Sequence, residues 1–117
     1  MKRLLCVDDS PDMLAMLVDL LETEFQIVGT VSSGSSALDE VGHCTPDIIL
    51  LDVDLGDMSG FFVAEQLKRT GCPAKIVFLS IHQSIEFIQA ARDLGAAGYV
   101  SKSQISRDLV RVLHEAV

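Results

Sequence analysis

The sequence predicts an α/β domain in which an open, doubly wound sheet of five parallel strands alternates with five helices. Short apolar runs alternate with longer amphipathic segments along all 117 residues, and no repeat or linker interrupts them. Residues 48–51 are apolar without alternation, as expected for a strand that helices cover on both faces. The length fits one domain, so a single fold must carry the function.

The first two strands are each followed by a predicted helix. Residues 4–7 form the first apolar run, and residues 10–11 (Ser-Pro) then supply an N-cap and a first helical position. The apolar face of that helix consists of Leu14, Leu17, Val18 and Leu21. Residues 25–31 predict the second strand. A capping box of Ser36 and Asp39 then predicts a short helix with Ala37, Leu38 and Val41 on its apolar face.

The remaining strands are predicted over residues 48–51, 76–79 and 99–100. The third helix ends by Gly71, and the fourth ends at Gly95. The apolar faces of the last three helices are Phe61, Ala64 and Leu67; Phe87, Ile88, Ala91 and Leu94; and Leu109, Val110, Leu113 and Val117. Right-handed crossovers wind such a sheet in both directions, and its ligands gather at the carboxyl ends of the strands.

Charge and cysteine content exclude several classes of function. Nine basic against 17 acidic residues give a net charge of −8, which disfavours direct binding to nucleic acid or to an anionic membrane. The three cysteines are odd in number and form no CxxC pair, which favours a reducing cytoplasm. No apolar stretch approaches the roughly 20 residues that a membrane-spanning helix needs.

Reactive polar residues stand where four of the apolar runs end: Asp8-Asp9, Asp52, Ser80 and Ser101-Lys102. A single polar residue at a strand end usually marks only the point where the chain reaches water, but four converge on one rim of a parallel sheet. Three carboxylates near one point repel each other and require a cation or protonation. Oxygen ligands of this kind suit Mg²⁺, which also takes phosphate oxygens from a substrate.

These residue types together could form an acyl phosphate on an aspartate. One carboxylate would be the nucleophile, and Mg²⁺ and the Lys102 ammonium would neutralise charge on the transferring group. The Ser80 hydroxyl would donate to one of its oxygens.

The sequence resembles a receiver domain of the bacterial two-component response regulators, the CheY-like family. The motifs that carry the resemblance are Asp8-Asp9 in VDDS, Asp52 in ILLDVDLGDMSG with Gly60 eight residues on, Ser80 in IVFLS, and Tyr99 and Lys102 in GAAGYVSK. The resemblance covers essentially the whole chain, so residues 1–117 are expected to form one receiver domain. It also implies the flavodoxin-like strand order 2-1-3-4-5.

The resemblance implies a role for each matched residue. Asp52 is the expected phosphoacceptor, with Ser80 and Lys102 as the hydroxyl and the cation that sense the phosphoryl group. Mg²⁺ would be held by Asp8 and Asp9, directly or through water, by Asp52, and by the backbone carbonyl of Asp54. Tyr99 is either the aromatic switch residue that moves inward with Ser80 or an ordinary strand residue with its hydroxyl in water.

The implied partner is a sensor histidine kinase or a phosphotransfer protein that donates from a phosphohistidine. Phosphorylation would alter the surface of the fourth helix, fifth strand and fifth helix, where a partner or a second copy of the chain in a homodimer reads the state. Such a domain phosphorylates and dephosphorylates itself and is not a turnover enzyme. The loop wording is closest to the LuxR-type branch, whose members usually append a helix-turn-helix effector. The chain is therefore expected to be a stand-alone receiver or the receiver part of a longer transcription regulator.

Two departures from the family pattern lie beside the expected site. Gly56 replaces a usual Pro, which predicts a looser loop next to Asp52. Ile81 replaces a usual Ala or Gly, which predicts narrower access and slower or more restricted phosphotransfer. His82 is expected in the loop over the site, either affecting how water reaches the acyl phosphate or simply solvated.

Two alternatives remain open at this point. A haloacid-dehalogenase-type phosphatase would use Asp52 as nucleophile and Asp54 as general acid, but only 65 residues follow Asp52 and they contain no later acidic pair. A degenerate receiver that acts only as a binding module is the other alternative. An EF-hand over residues 52–63 lacks the required Gly and Glu, and a zinc site from His43, Cys44 and Cys72 lacks a fourth ligand.

Overall fold

The computed structural model describes all 117 residues and contains five strands and five α-helices in strict alternation. The elements are β1 (Arg3–Val7), α1 (Pro11–Leu21), β2 (Gln26–Val31), α2 (Gly34–Cys44), β3 (Ile48–Asp52), α3 (Gly60–Arg69), β4 (Lys75–Ser80), α4 (Ile85–Asp93), β5 (Gly98–Ser101) and α5 (Ile105–Glu115). None of the helices, the longest of which have 11 residues, has the length and apolar character required to cross a bilayer.

All strand pairs are parallel, and the order across the sheet is β2-β1-β3-β4-β5. The order, the strand count and the helix count confirm the predicted fold class. The register pairs Val7 with Leu51 and Asp52 with Leu79, so the carboxyl ends of β1, β3 and β4 lie at one edge of the sheet. We call this edge the carboxyl edge.

Two apolar layers cover the sheet, one on each face. Alternate residues of β1 divide between them: Leu4 and Cys6 pack toward α1 and α5, while Leu5 and Val7 pack toward α2, α3 and α4. Every residue of β3 is buried, which confirms its prediction as a central strand. Burial of strand side chains on both faces explains why the central runs are apolar without alternation.

The helix boundaries differ from the predictions at three points. The N-cap of α2 is Ser33, whose hydroxyl accepts from the amide of Ser36, so the predicted capping box at Ser36 is wrong and α2 is a full 11-residue helix. The N-cap lies three residues earlier than predicted, because Ser33, with extended backbone, is the residue whose hydroxyl accepts this bond. Val117 lies beyond the end of α5 and is exposed, which contradicts its prediction as a helix-face residue. A 3₁₀ turn over Lys102–Gln104, which the sequence analysis missed, joins β5 to α5.

Candidate functional site

Three carboxylates meet at the carboxyl edge. Asp8 and Asp9 directly follow β1, and Asp52 is the last residue of the neighbouring β3. One ligand oxygen from each of the three carboxylates lies within 4.8 Å of the other two. Asp8 and Asp52 are buried, with 0% and 2% of their surface exposed, whereas Asp9 is exposed to solvent. The adjacency of β1 and β3 therefore brings together residues that lie more than 40 positions apart.

Local hydrogen bonds fix one oxygen of each buried carboxylate. Oδ1 of Asp8 accepts from the amide of Ser10 at 2.9 Å, and Oδ1 of Asp52 accepts from the amide of Asp54 at 3.1 Å. Aspartate side chains commonly bond to the backbone two residues on in this way. The second oxygen of each carboxylate is therefore held toward the centre of the cluster.

The ammonium of Lys102 lies between these two second oxygens. Lys102 Nζ is 3.0 Å from Asp8 Oδ2 and 3.1 Å from Asp52 Oδ2, and the latter contact is a hydrogen bond. The contact with Asp8 is close but not aligned as a hydrogen bond, so Asp8 Oδ2 is buried without a hydrogen-bond partner. Lys102 is the only basic side chain in ion-pair contact with the cluster, and it is the predicted one.

Burial and like charge shift the protonation of the site. Burial, together with the charge of Asp8, raises the pKa of Asp52 to about 6, even though the Asp54 amide and Lys102 favour its ionised form. Burial lowers the pKa of Lys102, but its close ion pairs with Asp8 and Asp52 outweigh this effect and raise the pKa above its usual value. Near pH 7 the site therefore holds more negative charge than one ammonium neutralises.

The residues present fit a magnesium ion. All three side chains offer oxygen ligands. The buried Asp8 Oδ2 has no hydrogen-bond partner, and a bound cation would interact with this oxygen instead. Exposure of Asp9 leaves one side of the cluster open to water, and Mg²⁺ retains several water ligands in proteins.

Ser80 is the last residue of β4 and is fully buried beside the cluster. Its Oγ accepts from the amide of His82 at 2.9 Å, which leaves the hydroxyl proton free to donate elsewhere. The main-chain carbonyl of His82 accepts a hydrogen bond from the hydroxyl of Tyr99 at 2.7 Å, across to β5. The Tyr99 side chain is half-buried, and burial raises its pKa. The hydroxyl of Tyr99 is therefore bonded to the β4–α4 loop, unlike that of a strand residue whose hydroxyl meets only water.

The imidazole of His82 reaches back across the carboxyl edge. Its Nε2 lies 2.8 Å from Asp54 Oδ2, and its ring stacks on Phe87 with centroids 4.0 Å apart. The predicted position of His82 in this loop is confirmed, but its contact with the Asp54 side chain was not predicted. The two residues are 28 positions apart in the sequence, so no local pattern indicates their contact. They meet because each follows one of two strands, β3 and β4, that are neighbours in the sheet. The neighbouring Ile81 is 66% exposed, and its effect on access to Asp52 stays a prediction.

The loop between β3 and α3 makes a tight turn at Gly56. Gly56 has φ +80°, and the amide of Asp57 donates to the carbonyl of Leu55 at 2.9 Å, which is the pattern of a γ-turn. Proline cannot adopt this φ, so Gly56 provides a tight, hydrogen-bonded turn. Whether this position also loosens the loop, as the loss of a fixed φ predicts, stays a prediction.

A doubly wound sheet with three clustered carboxylates, a lysine and a buried hydroxyl at its carboxyl edge is the arrangement expected of a phosphoryl-accepting signalling domain. The model of the family described as "Response regulator receiver domain" matches residues 4–114. The chain therefore belongs to the response regulator receiver domain family, in agreement with the resemblance read from its motifs. This membership argues against the phosphatase alternative, whose later metal-binding acids are absent.

Relatives of known sequence include several regulators. The chain is 29% identical over 115 residues to the nitrate/nitrite response regulator protein NarL of Escherichia coli (strain K12), covering 97% of this chain and 53% of that protein. It is 34% identical over 117 residues to the positive alginate biosynthesis regulatory protein of Pseudomonas aeruginosa, covering 97% of this chain and 46% of that protein. The chain thus spans only about half the length of these curated relatives.

Solved structures agree with the fold. A LuxR-family two-component response regulator from Aurantimonas sp. SI85-9A1 has a TM-score of 0.92 and 27% identity, with 97% of this chain and 83% of that chain covered. A CheY-like receiver domain protein from Methanospirillum hungatei JF-1 has a TM-score of 0.88 and 26% identity, with 98% of this chain and 92% of that chain covered. The chain is thus a CheY-like receiver domain of the two-component systems.

Proposed function

We propose that Asp52 accepts a phosphoryl group from a phosphohistidine of a sensor kinase or a phosphotransfer protein. The observation that carries the proposal is a buried carboxylate at the end of β3 that shares the Lys102 ammonium with Asp8 and lies beside the exposed Asp9. An Asp52 oxygen forms the new bond to phosphorus as the P–N bond of the donor breaks. The electron pair of that bond returns to the imidazole nitrogen of the donor, which takes up a proton.

Asp8, Asp9 and Asp52, together with the backbone carbonyl of Asp54, would hold Mg²⁺, which when bound neutralises charge on the transferring group. The Lys102 ammonium, 3.1 Å from Asp52, supplies a second positive charge next to the phosphorylated carboxylate. Ser80 has a free hydroxyl proton to donate to a phosphoryl oxygen. Two cations and one hydroxyl therefore replace the solvation that a phosphoryl group loses in a half-buried site.

The two main-chain hydrogen bonds of residue His82 support a switch that runs toward β5. Its amide bonds to Ser80 and its carbonyl bonds to Tyr99, so a shift of Ser80 toward a phosphoryl group moves the partner of Tyr99. The surface made by α4, β5 and α5 then differs between the two states. A partner, a homodimer contact or a helix-turn-helix effector in a longer protein would read that surface.

Membership in a family with transcriptional regulators supports an output through an effector, whereas the net charge of −8 argues against direct contact of this domain with DNA. Three unpaired cysteines, two of them buried, support a reducing cytoplasmic location. The domain phosphorylates and dephosphorylates on its own residue, so it does not act as a turnover enzyme.

Intact-mass measurement tests this proposal directly. Incubation with Mg²⁺ and a small phosphoramidate or acyl-phosphate donor should add the mass of one phosphoryl group to the wild type and none to Asp52→Asn. Asp19→Asn removes an exposed acid from α1 and should leave the modification intact. An unmodified wild type would indicate a binding module, and continuous turnover of the donor without a covalent adduct would indicate a phosphatase.

A further inference from the structure

The loop that carries the Asp54 carbonyl is attached to α2 by a side chain that no motif of the family identified. Oδ1 of Asp57 accepts from the amide of Gly34 at 2.9 Å, and Oδ2 accepts from the amide of Ser35 at 3.1 Å. Both amides belong to the first turn of α2, where backbone N–H groups have no partner within the helix. Ser33 caps the amide of Ser36, so Asp57 provides partners for two donors that the local cap leaves free.

A second contact holds the same loop against the same turn. A Cβ atom added at Gly34 would overlap the Met58 side chain, so Met58 packs directly against the α2 backbone at a position without a side chain. Asp57 and Met58 are neighbours, so a polar and an apolar contact fix adjacent residues to one helix end. We call this pair of contacts the α2 attachment.

The other side of the loop faces the acidic cluster. A Cβ atom built on Gly56 would lie 3.8 Å from Asp9 Oδ2, so the γ-turn passes beside the exposed carboxylate. Asp54, the expected carbonyl ligand, is bonded through its amide to Asp52 and pairs with Ser59 as an isolated antiparallel bridge. The segment between the cluster and α2 is therefore only a few residues long and is held at both ends.

We infer that Asp57 is a positioning residue, which holds the Asp54 carbonyl in place for Mg²⁺ by attaching the β3–α3 loop to the first turn of α2. The inference rests on the proposed magnesium-dependent function of the same site. The hydrogen bonds from Gly34 and Ser35 also lower the pKa of Asp57, so its carboxylate stays ionised at neutral pH. An acid at the N-terminus of α2 also interacts favourably with the helix dipole.

Calorimetric titration of Mg²⁺ into the unphosphorylated protein tests this role. Asp57→Ala should weaken Mg²⁺ binding about tenfold, the lower end of the losses seen when residues that orient metal ligands are removed. Ser33→Ala is the matched control, because it also removes a cap from α2 but leaves the loop attached; it should bind Mg²⁺ as the wild type does. Asp57→Asn should fall between the wild type and Asp57→Ala, because its amide oxygen retains one acceptor.

Two further readouts separate positioning from general damage. The phosphorylation rate of Asp57→Ala should approach that of the wild type at saturating Mg²⁺, while the Mg²⁺ concentration for half-maximal rate rises in step with the weaker binding. Mg²⁺ should also slow hydrogen exchange at the amides of Gly34 and Ser35 in the wild type and not in Asp57→Ala.

Each outcome is decisive. Equal Mg²⁺ affinity in the wild type and Asp57→Ala would overturn the positioning role while leaving the proposed phosphoacceptor function intact. If Asp57→Asn and Asp57→Ala lose the same Mg²⁺ affinity, the effect is due to the lost charge. If Ser33→Ala loses as much Mg²⁺ affinity as Asp57→Ala, the effect is due to the stability of α2. Either result overturns the inference. A wild type that binds no Mg²⁺ would overturn both this inference and the magnesium site.

Discussion

The two ends of the parallel sheet use charged side chains in opposite ways. At the amino end, the guanidinium of Arg3 donates to the carbonyls of Cys44 and Thr45 at the end of α2, and the amide of Arg3 donates to Asp47. At the carboxyl edge, Asp8 and Asp52 are buried around one ammonium, and Asp8 Oδ2 has no hydrogen bond. The amino end satisfies its polar groups, whereas the carboxyl edge leaves negative charge in excess.

This difference suggests that the amino end of the sheet serves stability, whereas the carboxyl edge serves the proposed binding of Mg²⁺. Hydrogen bonds between charged and backbone groups at the amino end contribute to stability alone. The carboxyl edge costs stability in the absence of a cation, because buried like charges repel and are poorly solvated. The difference between the ends therefore predicts that substitutions at the two ends separate stability from function.

The largest expected effect is at Lys102. Lys102→Met leaves the buried Asp8 and Asp52 carboxylates without a cation and should lower the free energy of unfolding by about 3 kcal/mol at pH 8 without Mg²⁺. Added Mg²⁺ should restore part of this loss, because the ion supplies the missing positive charge. Urea denaturation with and without Mg²⁺ measures both effects. Lys75→Met, which removes an exposed lysine at the amino end of β4, should change neither quantity; a similar loss in both variants would refute the comparison.

The second prediction concerns pH. Because the folded-state pKa of Asp52 is raised to about 6, its protonation stabilises the fold fully below about pH 4, and this contribution is lost as the pH rises through 6. Mg²⁺ requires the ionised carboxylate, so its stabilising effect should grow over the same range, toward about 2.7 kcal/mol at 100 times its dissociation constant. Thermal denaturation from pH 4 to 8 with and without Mg²⁺ measures this trend. In Asp52→Asn the effect of Mg²⁺ should be smaller and should lose the dependence that centres near pH 6.

A smaller effect is expected at the amino end. Arg3→Ala removes the hydrogen bonds to the carbonyls of Cys44 and Thr45 and should lower the free energy of unfolding by about 1 kcal/mol. Its affinity for Mg²⁺ and its phosphorylation should match those of the wild type. Denaturation and calorimetric titration on the same preparation check both statements. Weaker Mg²⁺ binding in this variant would show that the two ends of the sheet are not independent.

The smallest expected effect is at His82, over the carboxyl edge. His82→Phe keeps an aromatic ring to stack on Phe87 but removes the contact with Asp54. If His82 covers the site, as its place in the loop predicts, this change gives water better access to the acyl phosphate. A side-chain hydrogen bond is worth about 0.5 to 1 kcal/mol, so we expect a phosphoryl lifetime shorter by about two- to fivefold. Decay of the phosphorylated mass after removal of the donor measures it. Gln83→Ala, in the same loop, is the control, and an unchanged lifetime in His82→Phe would assign His82 to the solvated surface.

Local patterns in the sequence account for most of the fold. Short apolar runs, among them that of β3, predicted the strands, and Ser10 before Pro11 predicted the start of α1, where the Ser10 hydroxyl accepts from the amide of Met13. The same reasoning failed at the start of α2, because four serines precede its apolar face and each is a competent cap. Which of them caps the helix depends on where the β3–α3 loop meets α2.

The residues of the site could be predicted as a set because the carboxyl ends of parallel strands share an edge. Their contacts could not be predicted in the same way. The pairing of Lys102 with both Asp8 and Asp52 requires the 3₁₀ turn after β5, and the pairing of His82 with Asp54 requires two loops of compatible length. Such contacts join residues 28 and 50 positions apart, far beyond the reach of helical or strand periodicity.

The sequence by itself determined the layered α/β fold, the central position of β3 and the convergence of three aspartates, because these follow from hydrophobic periodicity and from the direction of parallel strands. The tertiary structure alone decided that one ammonium serves both buried carboxylates and that Asp57 attaches the loop of the site to α2. Hydrogen bonds of this kind require that two segments lie at the correct distance to within a few tenths of an ångström, and packing sets the spacing of those segments. A linear pattern of residues carries no such distances.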